Sequence, residues 1–484
     1  EGCVGDFTRP GDHRTALTPR GSHRVDLRRS ADTTIYHVAL TWAPGCELRT
    51  PAPHAVAVAG SGAGALELVC AFAAGALPAE LPGFAETRAA SAAAWERFWS
   101  TGGAIDLSES RDPRWRELER RIVLSQYLLA VQSAGSWPPA EIGLMGVDGW
   151  SGQFHMEMVW WHLAHYALWG RWALARQALT CYPRFLARAR QLAQQFGYRG
   201  AKWGKQVGPE GRTAPWVGSF VLHWQQPHPL FFAELEYRLQ PDHDTLERWR
   251  EVVFATADYL AAFPTRDTAD GRYHLQPIMP PSEQGITRDT VFDLAYFRFG
   301  LDVAQAWRRR LGLSPDPHWA EVRDGLAPLP VQDGLYVHSP EWAADTYGRR
   351  AYEHPDMLGV CGMLPPMAGV DPDTARRTLR RVIETWSWDR GWGWDFPWTA
   401  MAAARLGEPR AAVDSLLHPS RKNHYDERGV CTGGPCPYLP GNGGLLYAVA
   451  MMAAGWDGAP DRPAPGFPDD GSWTVRSEGL SRAP

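Results

Sequence analysis

Lysine is almost absent from this chain: of 49 basic residues, only Lys202, Lys205 and Lys422 are lysines. A coding bias toward arginine accounts for the scarcity, but not for two lysines close together in GAKWGKQ, on either side of Trp203. An ammonium is a compact point charge and a guanidinium a planar fork, so Lys202 and Lys205 are read as pocket residues, against chance retention. Long apolar runs are missing too. No stretch approaches ~18 consecutive apolar residues, and no transmembrane helix is expected. Positive charge is not in excess: a net charge of -5 with 21% charged residues gives no footprint for nucleic acid or an anionic membrane. The seven cysteines (Cys3, Cys46, Cys70, Cys181, Cys361, Cys431, Cys436) show no metal-ligand spacing and cannot all pair. Cys431 and Cys436 are near enough to bridge a loop, with free thiols the competing reading. The first residues, EGCVGDFTRPGDHR, have no apolar signal-peptide core. A chain opening on Glu1 rather than Met is expected to lack an N-terminal portion, and the compartment, cytoplasmic or secreted, stays open. There is also no glycine-rich phosphate loop, nucleophile elbow or HExxH metal motif.

What the chain has in quantity is tryptophan, with 24 residues. The densest stretch, Gly149 to Arg171, reads GWSGQFHMEMVWWHLAHYALWGR and holds Trp150, Trp160, Trp161, Trp169, His155, His162, His165 and Glu157. From Phe154 onward its apolar residues recur at helical spacing, which predicts a helix over 155–169 with His155 and Glu157 in the first turn. An acid there suits the positive end of the helix dipole. A buried helix with a first-turn acid would explain the stretch alone; the same mixture of Trp, His, amide and acid at later helix starts tips it toward a sugar site. Aromatic faces pack on the C–H faces of sugars, while acids, amides and bases hold hydroxyls.

Residues 1–87 read as β-rich, with TIYHVAL, HAVAVAG and LELVCAF between Pro/Gly-rich turns. Three or four strands cannot bury a core alone, so this segment is expected to be part of a β-sandwich packed on the rest. A linker, 88–111, follows, helical from about Glu86 to Trp99 and then extended in AIDLSES. From 112 to 456 the periodicity is helical, opening with an Asp112 cap and Pro113. Later helices are expected at 155–169, 172–196, 227–239, 244–263, 288–312, 316–326, 355–364, 372–386, 396–407, 409–417 and 442–455. Residues 457–484 form a tail. About twelve helices joined by alternating short and long connections suggest a mainly α fold, an (α/α)6 toroid of six hairpins with a partial N-terminal β-sandwich. An α-solenoid fits the helix count but has short, uniform connections. The long connections are expected to converge on one end of the barrel.

Those connections carry the candidate chemistry. The loop from 200 to 238 holds Lys202, Trp203 and Lys205 and ends in Trp224, Gln225, Gln226, Pro227 and His228; Gln226 and His228 suit hydroxyl recognition, although amides also cap helices. In QPIMPPSEQG, Glu283 follows two prolines, so stiff backbone and apolar neighbours can raise its pKa as a general acid requires. The bland reading is an exposed loop acid. The segment from Trp386 to Trp398 has five tryptophans in 13 residues, with Asp395 between Trp394 and Phe396. Asp395 is a candidate general base, or else a helix cap; Asp389 is the competing acid. YEHP and YLPGNGG put Glu353, His354 and Asn442 at helix starts as well, with Glu353 the reserve acid.

In order along the chain, GWSGQFHMEMVWWH, GAKWGKQVGPEG, WQQPHP, PPSEQ, GWGWDFPWTAM and YLPGNGGLL resemble the six-hairpin glycosidases. The likeness spans about 100 to 456 and is to the glycoside hydrolase family of maltose and kojibiose phosphorylases, more distantly to 1,2-α-L-fucosidases. That resemblance implies a sugar site shaped by Trp150 and Glu157, in place of the family's Trp-Asp-x-Glu segment, and a general acid at Glu283. The family's phosphorylases bind phosphate with a His and paired serines, where this chain reads WGWDFPWT. An acid there would repel phosphate and could activate water. The reading is therefore an inverting glycoside hydrolase with Glu283 as acid and Asp395 as base, their carboxyls ~6.5–9.5 Å apart. Its substrate would be an oligosaccharide or glycoside; no metal or organic cofactor, nucleic acid or membrane partner is expected, and a homo-oligomer is left open. The alternatives are an inverting disaccharide phosphorylase, a polysaccharide lyase on the same barrel and a carbohydrate-binding protein without turnover.

Overall fold

The computed structural model describes residues 9–60, 64–144 and 150–484; Cys3, Gly149 and the first eight residues of the expected β segment lie outside the described residues. The chain divides into two compact units, Glu1–Thr101 and Gly102–Pro484.

Among its described residues the first unit contains six strands where three or four were expected: β1 (His13–Pro19), β2 (Arg24–Ala31), β3 (Thr34–Trp42), β4 (Cys46–Ala52), β5 (Ala55–Gly60) and β6 (Leu68–Ala73), followed by the helix α1 (Phe84–Ser100). An antiparallel sheet runs β1-β2-β3-β6, and β4 pairs with β5. The unforeseen β2 alternates buried Val25 and Leu27 with the more exposed Asp26 and Arg28, the pattern of a sheet with one covered face and one wet one. Its arginines mask the period-two signal. The core of this sheet is small, built on Val25, Leu27, Val38 and Trp42.

The second unit is mainly helical. Its first strand, β7 (Ala104–Asp106), pairs antiparallel with Arg476–Glu478 from the C-terminal tail. A two-residue bridge joins β8 (Phe154–His155) to β9 (Gln206–Val207). The helices are α2 (Trp115–Gln132), α3 (Val159–Leu163), α4 (His165–Leu168), α5 (Trp172–Leu179), α6 (Cys181–Gln195), α7 (Gly218–Val221), α8 (His228–Leu239), α9 (His243–Ala262), α10 (Val291–Arg310), α11 (Pro317–Gly325), α12 (Pro372–Thr385), α13 (Asp395–Arg405), α14 (Pro409–Leu416) and α15 (Leu439–Ala454). Several starts are written plainly in the sequence. Asp242, Asp316 and Asp371 accept hydrogen bonds from the backbone N–H groups of Thr245, Trp319 and Thr374, and Pro317 and Pro372 open their helices.

Four expectations need correction. The helix expected over 155–169 begins only at Val159, because His155 is drawn into the bridge with Gln206. The helix expected over 172–196 is two, α5 and α6. The one expected at 355–364 is a 3-10 turn over Asp356–Cys361. The helix expected to open at Asp112 and Pro113 starts at Trp115, and Asp112 instead accepts from the Arg114 backbone N–H at 3.0 Å.

Successive helices pack on one another: α8 on α9, α9 on α10, α10 on α11, α13 on α14. The last, α15, packs on α2, α3, α4 and α13, so the end of the helical series meets its beginning. Every residue of α15 from Leu439 to Ala453 is buried, as expected for a helix apolar on all sides. Gly443 permits the contact with α3, since a Cβ there would stand 1.8 Å from the Trp161 carbonyl oxygen. Among the described residues all six cysteines are free, with Cys431 buried and Cys436 exposed; the Cys431–Cys436 bridge does not form. No helix of the described residues is long and apolar enough to cross a membrane.

One polar feature of this core is costly. Asp293, at the start of α10, is fully buried; its Oδ2 accepts from the Thr290 hydroxyl at 2.6 Å, while Oδ1 has no partner. Burial, only partly offset by Thr290 and reinforced by Asp356, raises its pKa to about 8. The unfolded chain would release this proton near the ordinary 3.8, so stability falls as pH rises from about 4 to about 8. Asp293→Asn keeps the Thr290 contact and removes the ionisation. Thermal unfolding should show the variant gaining on wild type between pH 5 and pH 8, by on the order of 1–3 kcal/mol; an unchanged difference across that range would contradict it.

Candidate active site

A cavity of about 260 Å³ opens among the loops that precede α3, α8, α10, α12, α13 and α15. Its walls are aromatic: Trp150, Trp224, Trp392, Trp394 and Tyr438 line it, with Met158, Pro281, Ser282 and Gln284. Trp224 and Trp394 stack with ring centroids 6.2 Å apart, and Trp392 leans on Tyr438 at 5.6 Å. Its ionisable groups are Glu141, Glu157, Glu283, Lys205 and His354.

Glu157 and Glu283 meet through one ammonium. Lys205 Nζ lies 3.1 Å from Glu157 Oε1 and 2.7 Å from Glu283 Oε1. His155 Nδ1 stands 2.9 Å from Glu141 Oε2 and 3.5 Å from Glu157 Oε1. Three carboxyls therefore share two cationic groups, all but Glu283 deeply buried; the Glu283 side chain is 32% exposed. Burial pushes Glu157 up, but Lys205 and His155 outweigh it and hold it down to about 2. Burial presses His155 down, yet Glu157 and Glu141 carry it up to about 9. For Glu283, burial and the Glu157 charge together exceed the pull of Lys205, and its pKa is raised. Charge balance gives the same result: two cations neutralise two carboxylates, and the third is best kept protonated.

Local backbone supports this arrangement. Glu283 has φ +58 and Trp150 φ +51, the left-handed region that non-glycine residues rarely occupy. Holding them there costs on the order of 1 kcal/mol each. For Glu283 the loop is braced by its own N–H to Pro280 O at 2.9 Å and by the Ser282 hydroxyl donating to Glu353 Oε2 at 2.8 Å.

The remaining predicted residues surround the cavity without lining it. Glu353 pairs with Arg350 at 2.6 Å and holds Ser282, so it anchors the Glu283 loop. His228 reaches the Glu157 carbonyl with Nε2 and the Tyr296 hydroxyl with Nδ1, both at 2.9 Å, bracing the backbone that carries Glu157. Gln226 clamps Trp203, accepting from its N–H and donating to its carbonyl oxygen, both at 2.7 Å. The Trp203 indole donates to Thr256. Lys202 is buried against His223 and Tyr259, and burial brings its pKa down to about 7. Asn442 accepts from the Cys431 N–H and donates to Ser125 and Gly429. Asp395 is buried behind the wall, one carboxyl oxygen on His354 and the other on the Trp392 N–H. Asp389 holds Ser420 and Arg421 near the surface. Trp160, Trp161 and Trp169 are core.

Among the lining groups, Glu141 escaped the sequence reading, while Trp392 and Tyr438 stood within its motifs without being singled out. Glu141 had a visible signal, since WPPAE repeats the Pro-Pro-x-Glu pattern of MPPSE at Glu283. Removing the bridging cation should be expensive. Lys205→Met leaves buried charge uncompensated, and stability at pH 7 should fall by about 3–5 kcal/mol. Glu157's low pKa contributes stability above the unfolded value of 4.5 that is lost as pH falls toward 2. The gap between variant and wild type in thermal unfolding should therefore narrow at pH 3; a gap that is small at pH 7 or constant with pH would contradict the bridge.

No family model matches the chain. It is 28% identical over 303 residues to the protein-glucosylgalactosylhydroxylysine glucosidase of Danio rerio, covering 59% of this chain and 44% of that relative. The chain thus spans less than half the length of the curated relative it matches. Among solved structures it is similar to a protein described as a kojibiose phosphorylase, from the human microbiome: TM-score 0.62, 10% identity, 93% of this chain and 67% of that one. An α-L-rhamnosidase of Streptomyces avermitilis follows at TM-score 0.46 and 14% identity, covering 93% of this chain and 45% of that one. The resemblance drawn from the sequence motifs is thus met by a relative in sequence and by a fold in space: the chain is similar to the six-hairpin glycosidases of the kojibiose phosphorylase type.

Proposed function

We propose that this protein is an inverting glycoside hydrolase acting on a terminal glucosyl residue, its helices forming an (α/α)6 toroid. The observation that carries the reading is the cluster of three carboxyls on two cations within an aromatic-walled cavity. Glu283 is the general acid. Burial and the Glu157 charge raise its pKa, the direction a general acid needs, and its partly exposed carboxyl can reach the glycosidic oxygen. Glu157, held ionised, accepts from sugar hydroxyls, and Trp150, Trp224 and Trp394 pack on the ring. The Danio rerio relative is named for glucose on galactosylhydroxylysine, which makes glucosyl-galactosyl and glucosyl-glucose linkages the first substrates to try. A cavity of about 260 Å³ is smaller than the ~300–1,000 Å³ of drug-sized sites, which suits one terminal sugar ring rather than the interior of a polymer.

Hydrolysis is favoured over phosphorolysis by charge. Lys205 and His155, the cations of the carboxyl cluster, are already committed to carboxylates, so a phosphate dianion entering that cluster would meet acids whose counter-charges are taken. The Asp395 carboxylate, expected to repel phosphate, sits behind His354 instead.

Three measurements follow from one set of assays. Turnover of kojibiose and of glucosylgalactosylhydroxylysine should not require phosphate; strict phosphate dependence would make the protein a phosphorylase. Glu283→Gln should lower turnover by ~10²–10⁴-fold on these sugars and much less on an activated glucosyl fluoride. Equal losses on both would remove Glu283 from the acid role. NMR of the first-formed glucose should show the anomer opposite to that of the substrate; retention would mean a carboxylate nucleophile.

A further inference from the structure

His354 is an ionisable lining group that the acid cluster does not use. Its Nδ1 lies 2.6 Å from Asp395 Oδ1. The other Asp395 oxygen accepts from the Trp392 backbone N–H at 2.7 Å, so the carboxylate is fixed on both sides and is itself 1% exposed. A carboxylate accepting at Nδ1 sets the proton of a neutral imidazole there and leaves the lone pair on Nε2. That nitrogen has no hydrogen-bond partner among the described residues, yet it is not among their enclosed unpartnered atoms; on a residue that lines the cavity, it opens to the cavity. The ring is held at an angle over Trp394, centroids 3.9 Å apart, which limits its swing.

The other acids and bases of the site are occupied. Glu157 is bound to Lys205 and His155, and a carboxylate held down to about 2 is a weak base. Glu141 is bound to His155 and Tyr438. Glu353 is bound to Arg350 and Ser282 outside the cavity lining. Glu283 must arrive protonated.

We propose that His354, oriented by Asp395, is the general base that activates the attacking water, and that Asp395 is its positioning residue. This rests on the glycosidase reading. In the step, a water O–H bond breaks and its proton goes to His354 Nε2 while the oxygen bonds to the anomeric carbon. The glycosidic C–O bond breaks, its electron pair stays on the leaving oxygen, and that oxygen takes the Glu283 proton. The site then holds a Glu283 carboxylate and an imidazolium facing the Asp395 carboxylate; exchange with solvent takes the proton from His354 and restores one to Glu283. An imidazole beside a buried carboxylate is stabilised as imidazolium in the way that hydrolytic triads use.

The test is chemical rescue on glucosyl fluoride, whose departure needs little acid assistance. His354→Ala should lose ~10²–10⁴-fold in kcat, regain at least about tenfold of that with added imidazole, and with azide yield a glucosyl azide of inverted configuration. Asp395→Asn should lower kcat with little change in KM, and ¹⁵N NMR should show the Nδ1-protonated His354 tautomer of wild type lost. His354→Gln and thermal unfolding of each variant identify any loss due to misfolding. A folded His354→Ala that turns over fluoride near the wild-type rate, or that neither imidazole nor azide accelerates, overturns the assignment while leaving the glycosidase reading intact. Wild type inert toward every glucoside and both fluoride anomers overturns both.

Discussion

One buried ammonium sets the terms for the site. Lys205 stands between Glu157 and Glu283, and without it two carboxyls would face each other across a desolvated gap with no common counter-charge. Like charges so close cannot both ionise cheaply; the ammonium lets Glu157 stay ionised, and the surplus carboxyl relieves the strain by keeping its proton. His155 and Glu141 repeat the pairing one step away, so the group holds two stable ion pairs and one acid. In a chain with three lysines, this position needs a compact charge that two carboxyls can share, which a planar guanidinium, built to meet one carboxylate edge-on, serves less well.

The fold delivers these groups by bracing loops rather than by extending helices. The Glu283 loop is held by Glu353 and Ser282, Glu157 by the short β8–β9 bridge and by His228, and Trp203 by Gln226. Several residues that looked like sugar ligands are thus supports that keep a few contact groups in place. Sites on loops need that support to stay within a few tenths of an ångström of a working geometry. The positive φ of Glu283 and Trp150 marks where the brace overrides local preference.

Helix positions were legible because capping aspartates, prolines and apolar periodicity agree along most of 112–456: α8 to α15 fall within a few residues of their expected ranges, with 355–364 as the exception. The sequence misled where tertiary pairing overrode periodicity. His155 and Glu157 looked like a first helical turn, but His155 pairs with Gln206 across 51 residues, a contact no local window contains. The strands β1 and β2 were obscured by arginines on their outer face. In the site, Glu283 and Glu157 could be named from stiff prolines and dense aromatics, and both line the cavity. Asp395 and Asn442 look identical to ligands in sequence, since an acid or amide among tryptophans reads the same whether it faces a cavity or fastens its wall. Which side a side chain takes depends on partners such as His354 and Ser125, far away along the chain.

The central claim is that the shared cation leaves Glu283 protonated and Glu157 ionised in the same cavity. The most direct measurement is a ¹³C NMR titration of the protein labelled at the glutamate carboxyl carbons, with Glu283 and Glu157 assigned through Glu283→Gln and Glu157→Gln. The account predicts that the Glu283 carbon titrates above the ordinary 4.5 while Glu157 stays ionised down to about pH 2. Glu283 ionising at or below 4.5, with Glu157 titrating above it, would contradict the account.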